Sequence, residues 1–328
     1  MQPIRWGMIG CGDVAEVKSG PALQKADGSA LVAVMRRDRA KAEDYARRHN
    51  VPRVHTRAED LIDDAEVDAV YIATPPSSHC DLALKVAAAC KPCLVEKPMA
   101  MNHTESLRMV EAFRGAQRPL WVAYYRRALP RFLKVRELLR ARAIGQLTSI
   151  EIKVTAPLAI GDAVKAWRFD TEIAGGGLFL DLASHCFDLI DFLAGPITAA
   201  AGFALNTGGR YAAEDVTVAA FQIGGRVAGT GVWNFNAPVP ADSIVFTGSD
   251  GEIATAVLGD ADVVVTRGGQ PNLYRFRNPP HVHQPLIQTI VDELGGKGKC
   301  ESTGETGARS SWVMERCLQG YYKPESEK

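Results

Sequence analysis

A chain of 328 residues, 46% hydrophobic and 23% charged, has the composition of an ordinary globular protein, and its length favours two domains over one core. Its 38 lysines and arginines balance 38 aspartates and glutamates, for a formal net charge of +0. That balance argues against a nucleic-acid or membrane-surface partner, which would select a basic face. On charge alone the pairs Arg36–Arg37, Arg47–Arg48 and Arg126–Arg127 are expected to be solvated surface.

No apolar run approaches the roughly 20 residues that span a bilayer, and no charged segment leading into an apolar one opens the chain at Met1-Gln2-Pro3. The seven cysteines are odd in number and scattered, which suits a reducing cytoplasm. Cys90-Lys91-Pro92-Cys93 matches a redox dithiol pattern, but there a strand should feed a helix whose N-terminus activates a thiol. Here Cys90 ends a predicted helix and Cys93 starts a strand, so both are read as structural thiols.

In chain order, Ile4–Ile9 is a short apolar strand ending in glycines, followed by a helix from about Asp13 and the apolar run Leu31–Met35. Lys41–His49 reads as helix and Val67–Ala73 as strand. The alanine-rich helix His79–Cys90, the strand Cys93–Val95, the helix Thr104–Arg114 and the strand Leu120–Tyr124 complete the pattern. Strands alternating with helices imply right-handed crossovers and a doubly wound parallel sheet, an α/β Rossmann domain over residues 1–124.

Beyond Tyr125 the pattern changes. A helix, Arg131–Arg142, leads to the strand Ser149–Val154, a loop through Trp167 and the helix Leu178–Leu193. Strands then follow in succession: Asp215–Ile223 and Arg226–Phe235 around the hairpin signal Gly224-Gly225, then Ser243–Thr247, Glu252–Val257 and Val263–Thr266. Residues 125–328 are therefore expected to form an α+β domain with an open, mainly antiparallel sheet. The closing helices Gln284–Leu294 and Thr306–Gln319 are allowed to pack back on the first domain. The exposed face of that sheet, with Val216, Val218, Val232 and Trp233, is a candidate homodimer or homotetramer surface.

Gly10-Cys11-Gly12-Asp13-Val14-Ala15 is a G-x-G-x-x-A match between a strand and a helix. The first glycine makes the tight turn, the second lets a pyrophosphate approach the backbone, and the small third residue packs helix on strand. The helix N-terminus then offers N–H donors and partial positive charge to phosphate. NAD-binding loops usually place Asp or Glu at the end of the second strand for the ribose 2′-OH. This chain places Arg36 and Arg37 there, which can pair with a 2′-phosphate, so NADP(H) is favoured over NAD(H). Asp38 keeps the alternative open, since a shifted strand end would turn it toward the ribose.

Glu96-Lys97-Pro98 closes the strand Cys93–Val95, and ligands bind outside the carboxyl ends of parallel strands. Lys97 there, desolvated and near Glu96, is a candidate proton carrier; a surface lysine before a turn proline is the alternative. After Gly175-Gly176-Gly177, residues Asp181, Ser184, His185 and Asp188 stand at i, i+3, i+4 and i+7 on an otherwise apolar helix. A buried polar stripe is costly unless hydrogen-bonded or lining a cleft, and Asp181 is placed to orient the His185 ring. A satisfied core histidine is the competing reading. His281-Val282-His283 is proline-flanked and has no third ligand in sequence reach, so no metal is expected and both are read as loop histidines.

The ordered set of glycine loop, Thr74-Pro75-Pro76 with His79, Glu96-Lys97-Pro98, Trp167-Arg168 and Gly175-Gly176-Gly177…Asp181…His185 resembles the Gfo/Idh/MocA oxidoreductases over essentially the whole chain. The resemblance implies NAD(P)-linked oxidation or reduction of a sugar, polyol or related compound. It places Gly10, Gly12, Asp13, Val14, Arg36, Arg37, Thr74, Pro75, His79, Glu96 and Lys97 around the dinucleotide. It implies that Lys97, Asp181 and His185 are catalytic, that Arg168 touches substrate, and that Tyr125 ends a strand bordering the nicotinamide beside Tyr124 and Arg126. A dinucleotide-dependent glycosidase of the same fold and a non-catalytic dinucleotide-binding sensor remain alternatives, though Lys97, Asp181 and His185 argue against the sensor.

Overall fold

A computed structural model describes residues 2–157 and 166–322. The chain divides into two compact units, Met1–Leu129 with Asn278–Ala308, and Pro130–Arg277 with Arg309–Lys328.

The first unit is a six-stranded sheet of β1 (Ile4–Ile9), β2 (Ser29–Met35), β3 (Arg53–His55), β4 (Ala69–Ile72), β5 (Cys93–Val95) and β6 (Leu120–Val122). All pairs are parallel and the order is β3-β2-β1-β4-β5-β6. That is the doubly wound order with its switch point at β1/β4, beyond whose carboxyl ends ligands bind in such sheets. The helices are α1 (Gly20–Lys25), α2 (Arg39–Arg48), α3 (Ala58–Ile62), α4 (His79–Ala88) and α5 (His103–Gly115). β4 and β5 are buried at every position, as expected of central strands covered on both faces. One face packs Ile72, Val95, Met109 and Phe113; the other packs Trp6, Met8, Leu94 and Trp121. The helix expected from Asp13 is broken: residues 15–19 form a π-turn before α1.

The second unit contains α6 (Pro130–Arg140), β7 (Leu147–Thr155), α7 (Thr171–Ala174) and α8 (Leu178–Ala194), then β8 (Ile197–Leu205), β9 (Val216–Ile223), β10 (Val227–Asn234), β11 (Ala241–Gly248), β12 (Gly251–Thr255), β13 (Val263–Arg267) and β14 (Gln270–Tyr274). The eight strands order as β14-β13-β12-β11-β7-β10-β9-β8, antiparallel apart from the β10/β7 pair. Gly224 and Gly225, at φ +56° and +66°, make the β9–β10 turn, where two left-handed residues match the strand twist. The chain closes with α9 (Gln284–Leu294), in the first unit, and α10 (Gly304–Tyr322), most of it in the second.

Three expectations are corrected. Trp233 lies on the inner face of β10 and is fully buried, packed edge-on against Phe179, while Val218 and Val232 face outward; period-2 alternation puts residues 232 and 233 on opposite faces. The segment Thr171–Ala194 is long and apolar enough to cross a membrane by length and composition, but 78% of its apolar window is buried and left-handed Gly175 breaks it. Its longer part, α8, is a buried core helix of the second unit. Finally, Arg126 and Arg127 are each only 5% exposed: the Arg127 guanidinium donates to the Glu301 carbonyl (3.0 Å) and Arg126 lies over the Tyr125 ring (4.8 Å).

Removing the Trp233 indole leaves a cavity in a close-packed core, so Trp233→Ala is expected to cost about 3–5 kcal/mol in urea unfolding. Thr230→Ala, on the exposed face of the same strand, is expected to stay within about 0.5 kcal/mol.

Candidate active site

The glycine loop is built for close backbone approach. Gly10 has φ +95° and a Cβ there would stand 2.8 Å from the Ala73 carbonyl oxygen, so only glycine fits between the ends of β1 and β4. At Gly12 a Cβ would meet no protein atom within 4 Å; the side chain is missing where a pyrophosphate would need that space. Asp13 is exposed and Val14 half-buried at the start of the following helix. This cradle fits a dinucleotide.

At the end of β2, Arg36 donates from Nη1 to the Cys11 carbonyl (3.1 Å), which lays its side chain along the loop. Arg37 is exposed. Asp38 caps α2: its carboxylate accepts the Lys41 N–H at 3.2 Å and lies 3.3 Å from the Lys41 ammonium. These contacts hold its pKa below the usual range, the backbone hydrogen bond foremost.

At the exit of β4, Pro75 is exposed and the Ser78 hydroxyl donates to the Thr74 hydroxyl (2.7 Å). His79 is fully buried, with Nε2 2.7 Å from the Thr74 carbonyl and Nδ1 3.1 Å from the Pro98 carbonyl. Its ring therefore ties the β4 exit to the β5 exit, while burial pushes its pKa down.

Glu96 follows β5 and is 7% exposed. Its carboxylate accepts from the Tyr71 hydroxyl (2.5 Å), the Lys97 backbone N–H (3.1 Å) and His283 Nε2 (3.1 Å). Burial by itself favours the neutral acid, but the His283 and Tyr71 hydrogen bonds and the Lys97 charge outweigh it and bring the pKa down to about 2. Lys97 is half-buried. Tyr125, half-buried, lies against His283 with the rings tilted by 37° and their centres 4.6 Å apart. The loop expectation for the two histidines thus fails at one of them. His283 is 2% exposed on its side chain and paired with Glu96, whereas His281 sits near the surface between the Lys25 ammonium and the Val17 carbonyl. Among the described residues no three histidines, cysteines or acids converge as a metal site, and all seven cysteines are free thiols.

In the second unit the polar stripe of α8 is buried: Ser184, His185 and Asp188 are at most 4% exposed, and Asp181, in the first turn, is half-buried. Asp181 accepts from Arg168 Nε at 3.2 Å, and the Arg168 guanidinium lies 4.5 Å from the Trp167 ring centre.

The helix start depends on a residue that periodicity does not reveal. Glu214, fully buried, takes the Gly177 N–H on both carboxylate oxygens (2.9 Å each) and the Tyr322 hydroxyl on one. A carboxylate at a helix N-terminus meets orphan N–H groups and the positive end of the dipole. A Cβ on Gly177 would stand 2.5 Å from the Glu214 carbonyl oxygen, which explains the last glycine of the triplet. Burial raises the Glu214 pKa, against the pull of Tyr322 and Gly177. The signal was the pair Glu214-Asp215 opening an otherwise apolar strand.

A parallel sheet in this order, a glycine loop at its switch point and a lysine at a neighbouring strand exit define a dinucleotide-binding oxidoreductase. Residues 4–124 match the oxidoreductase family with an NAD-binding Rossmann fold, and residues 132–254 match the GFO/IDH/MocA C-terminal domain. The chain is 40% identical over 316 residues to Oxidoreductase P35 of Formosa agariphila, covering 95% of this chain and 97% of that one. It is 25% identical over 311 residues to the 1,5-anhydro-D-fructose reductase of Ensifer adhaerens, covering 93% and 92%. In fold it is similar to a levoglucosan dehydrogenase solved with NADH and levoglucosan, with TM-score 0.86 at 19% identity over 99% of this chain and 98% of that one. The chain belongs to the Gfo/Idh/MocA family of oxidoreductases.

Two outcomes are expected from the buried carboxylates. Glu214→Ala leaves the buried Gly177 N–H without its acceptor and should cost about 1–3 kcal/mol, read by urea unfolding. Glu96 has its folded pKa (about 2) below the ordinary 4.5. Its contribution to stability is therefore complete above pH 4.5 and is lost as pH falls from there toward 2. Unfolding midpoints of Glu96→Gln measured across that window should depend less on pH than those of the wild type.

Proposed function

We propose that this protein is an NADP(H)-dependent dehydrogenase or reductase of a sugar, polyol or related carbonyl compound. The preference for the phosphorylated dinucleotide rests on one observation: Arg36 lies along the glycine loop while Asp38 is committed to capping α2. A carboxylate turned to the ribose would repel a 2′-phosphate, whereas a guanidinium pairs with it through two charge-assisted hydrogen bonds. The substrate class is supported by the relatives, one acting as a 1,5-anhydro-D-fructose reductase and one holding levoglucosan.

The dinucleotide, when bound, supplies or accepts the hydride. In the oxidation direction the substrate hydroxyl loses its proton to a ring nitrogen of His185 or to Lys97 Nζ, as the carbon–hydrogen bond breaks and the carbonyl forms. As ammonium, Lys97 Nζ also stabilises negative charge on that oxygen, and in reduction the proton returns by the same route. Asp181, held by Arg168 Nε, orients a substrate hydroxyl or the histidine. His185 is held in a nearly closed environment, 4% exposed, where fixed dipoles act with little screening by water.

The protein is further proposed to work in a reducing compartment such as the cytoplasm, in keeping with its free thiols. It is proposed to associate with copies of itself through the outer face of β8, β9 and β10, where Phe203 is 82% and Leu205 57% exposed. An apolar patch of that kind is the usual mark of an interface.

Fluorescence titration with NADPH and NADH in parallel tests the cofactor, followed by turnover on a panel of sugars and 1,5-anhydro-D-fructose. Wild type is expected to bind NADPH more tightly. Arg36→Asp should weaken NADPH binding by about 10–100-fold, the worth of one lost charge-assisted pair, while changing NADH binding little. Much tighter NADH binding by the wild type would overturn the cofactor reading. In single-turnover hydride transfer, Lys97→Met and His185→Ala are each expected to slow the step by about 10²–10⁴-fold, and wild-type rates in both would overturn the assignment.

A further inference from the structure

The segment 278–308 returns to the first unit and seats one buried histidine among groups the proposed chemistry uses. We propose that His283 is a positioning residue: by one contact to Glu96 and one to Tyr125, it fixes the segments that carry Lys97 and Tyr125. The inference deepens the reading of Lys97 as a substrate-facing group and rests on it.

The path from His283 to Lys97 is two hydrogen bonds long. Nε2 donates to Glu96 Oε1 at 3.1 Å, and Glu96 Oε2 accepts the backbone N–H of Lys97 at 3.1 Å. A carboxylate that is ionised only accepts, so Nε2 carries the hydrogen. The Tyr71 hydroxyl, from the middle of β4, holds the same Oε1 at 2.5 Å. Glu96 is thereby gripped by β4 on one side and by the returning segment on the other, with the Lys97 backbone as its third partner. The second contact is the His283 ring on Tyr125, 4.6 Å between centres.

His283 is itself well anchored. It stands immediately before α9, whose Leu286, Ile287 and Ile290 are at most 1% exposed. Gln288 on that helix accepts the Asp27 N–H at 2.8 Å and donates to the Asp27 carbonyl at 3.2 Å. A rigid support of this kind is what holds a catalytic group within tenths of an ångström of its working position.

Packing alone is a poor account of the arrangement. A histidine sealed beside a carboxylate carries a desolvation cost that an apolar side chain of the same volume would avoid. Among the described residues His283 Nδ1 finds no hydrogen-bond partner although it is closed off from solvent, a second cost of the same kind. Both are incurred at the exit of β5, the end of the sheet where ligands bind.

Two substitutions separate the contacts: His283→Phe keeps a ring against Tyr125 and removes the donor to Glu96, and His283→Gln keeps a donor and removes the ring. The first readout does not need turnover. Lysines are labelled with limiting acetic anhydride, with and without NADPH, and the rate at Lys97 is followed by mass spectrometry against Lys18 and Lys41. In His283→Phe the relative rate at Lys97 is expected to change by at least about threefold, because acylation proceeds through the neutral amine and a lysine's reactivity therefore follows the charge and access around it, with His283→Gln nearer the wild type. The second readout is steady-state kinetics on the best sugar of the panel. For His283→Phe, kcat should fall at least about tenfold with KM within about twofold, the pattern of a group needed in the transition state.

A folded His283→Phe with wild-type labelling at Lys97 overturns the proposal, and so does a folded pair of variants with wild-type kcat. Should His283→Phe not fold, wild-type labelling at Lys97 and wild-type kcat in a folded His283→Leu, which lacks both the donor and the ring, would overturn it equally. A wild type that turns over nothing, yet shows the labelling change, supports the positioning role and defeats the substrate reading instead.

Discussion

A carboxylate removed from water must be met by donors, and in the first unit that constraint falls on Glu96. Its two oxygens take a hydroxyl from the middle of the sheet, a backbone N–H from its own strand exit and an imidazole from a segment nearly two hundred positions later in the chain. A buried acid with three donors stays ionised, and an ionised acid in a closed space fixes whatever donates to it. The exit of β5, where Lys97 stands, is therefore set by electrostatics as much as by apolar packing. His79 does the neighbouring task, joining the exits of β4 and β5 through two carbonyls.

The second unit solves a related problem at one helix end. α8 is apolar along most of its length and carries its polar groups on one stripe. Its N-terminal N–H group is buried and must be satisfied from outside the helix. Glu214 does so, with Tyr322 completing its hydrogen bonds. Asp181 lies one turn beyond Gly177, so the carboxylate that holds the helix start also holds the first residue of the stripe. The two units thus use one device: a buried acid, saturated with donors, next to a candidate catalytic group.

The fold was legible where local pattern and global role coincide. Ile4–Ile9, Cys93–Val95, Leu178–Leu193 and Gln284–Leu294 are strongly periodic or wholly apolar, and the structure places their elements within a residue of expectation. β3, β8 and β14 escaped notice. β3 and β14 lie at sheet edges, β3 three residues long and at most half-buried, β14 mostly exposed, and β8 is an alanine-rich edge strand whose Phe203 and Leu205 point outward. Edge strands need no alternating apolar face, so their sequences lack the signal. The basic pair Arg126–Arg127 misled for the opposite reason. Charge predicts a solvated surface, but a guanidinium on an aromatic ring or a carbonyl can be buried.

By itself, the sequence determined the class of fold, the glycine loop and the candidate groups at residues 36, 97, 181 and 185. Each is written in neighbouring residues: a turn that admits only glycine, a strand end, a helical spacing. Tertiary structure alone decided that Glu214 closes the start of α8 and that His283 belongs beside Glu96. Those choices depend on which distant segments meet, and a hydrogen bond between residues 96 and 283 leaves no trace in the local pattern of either.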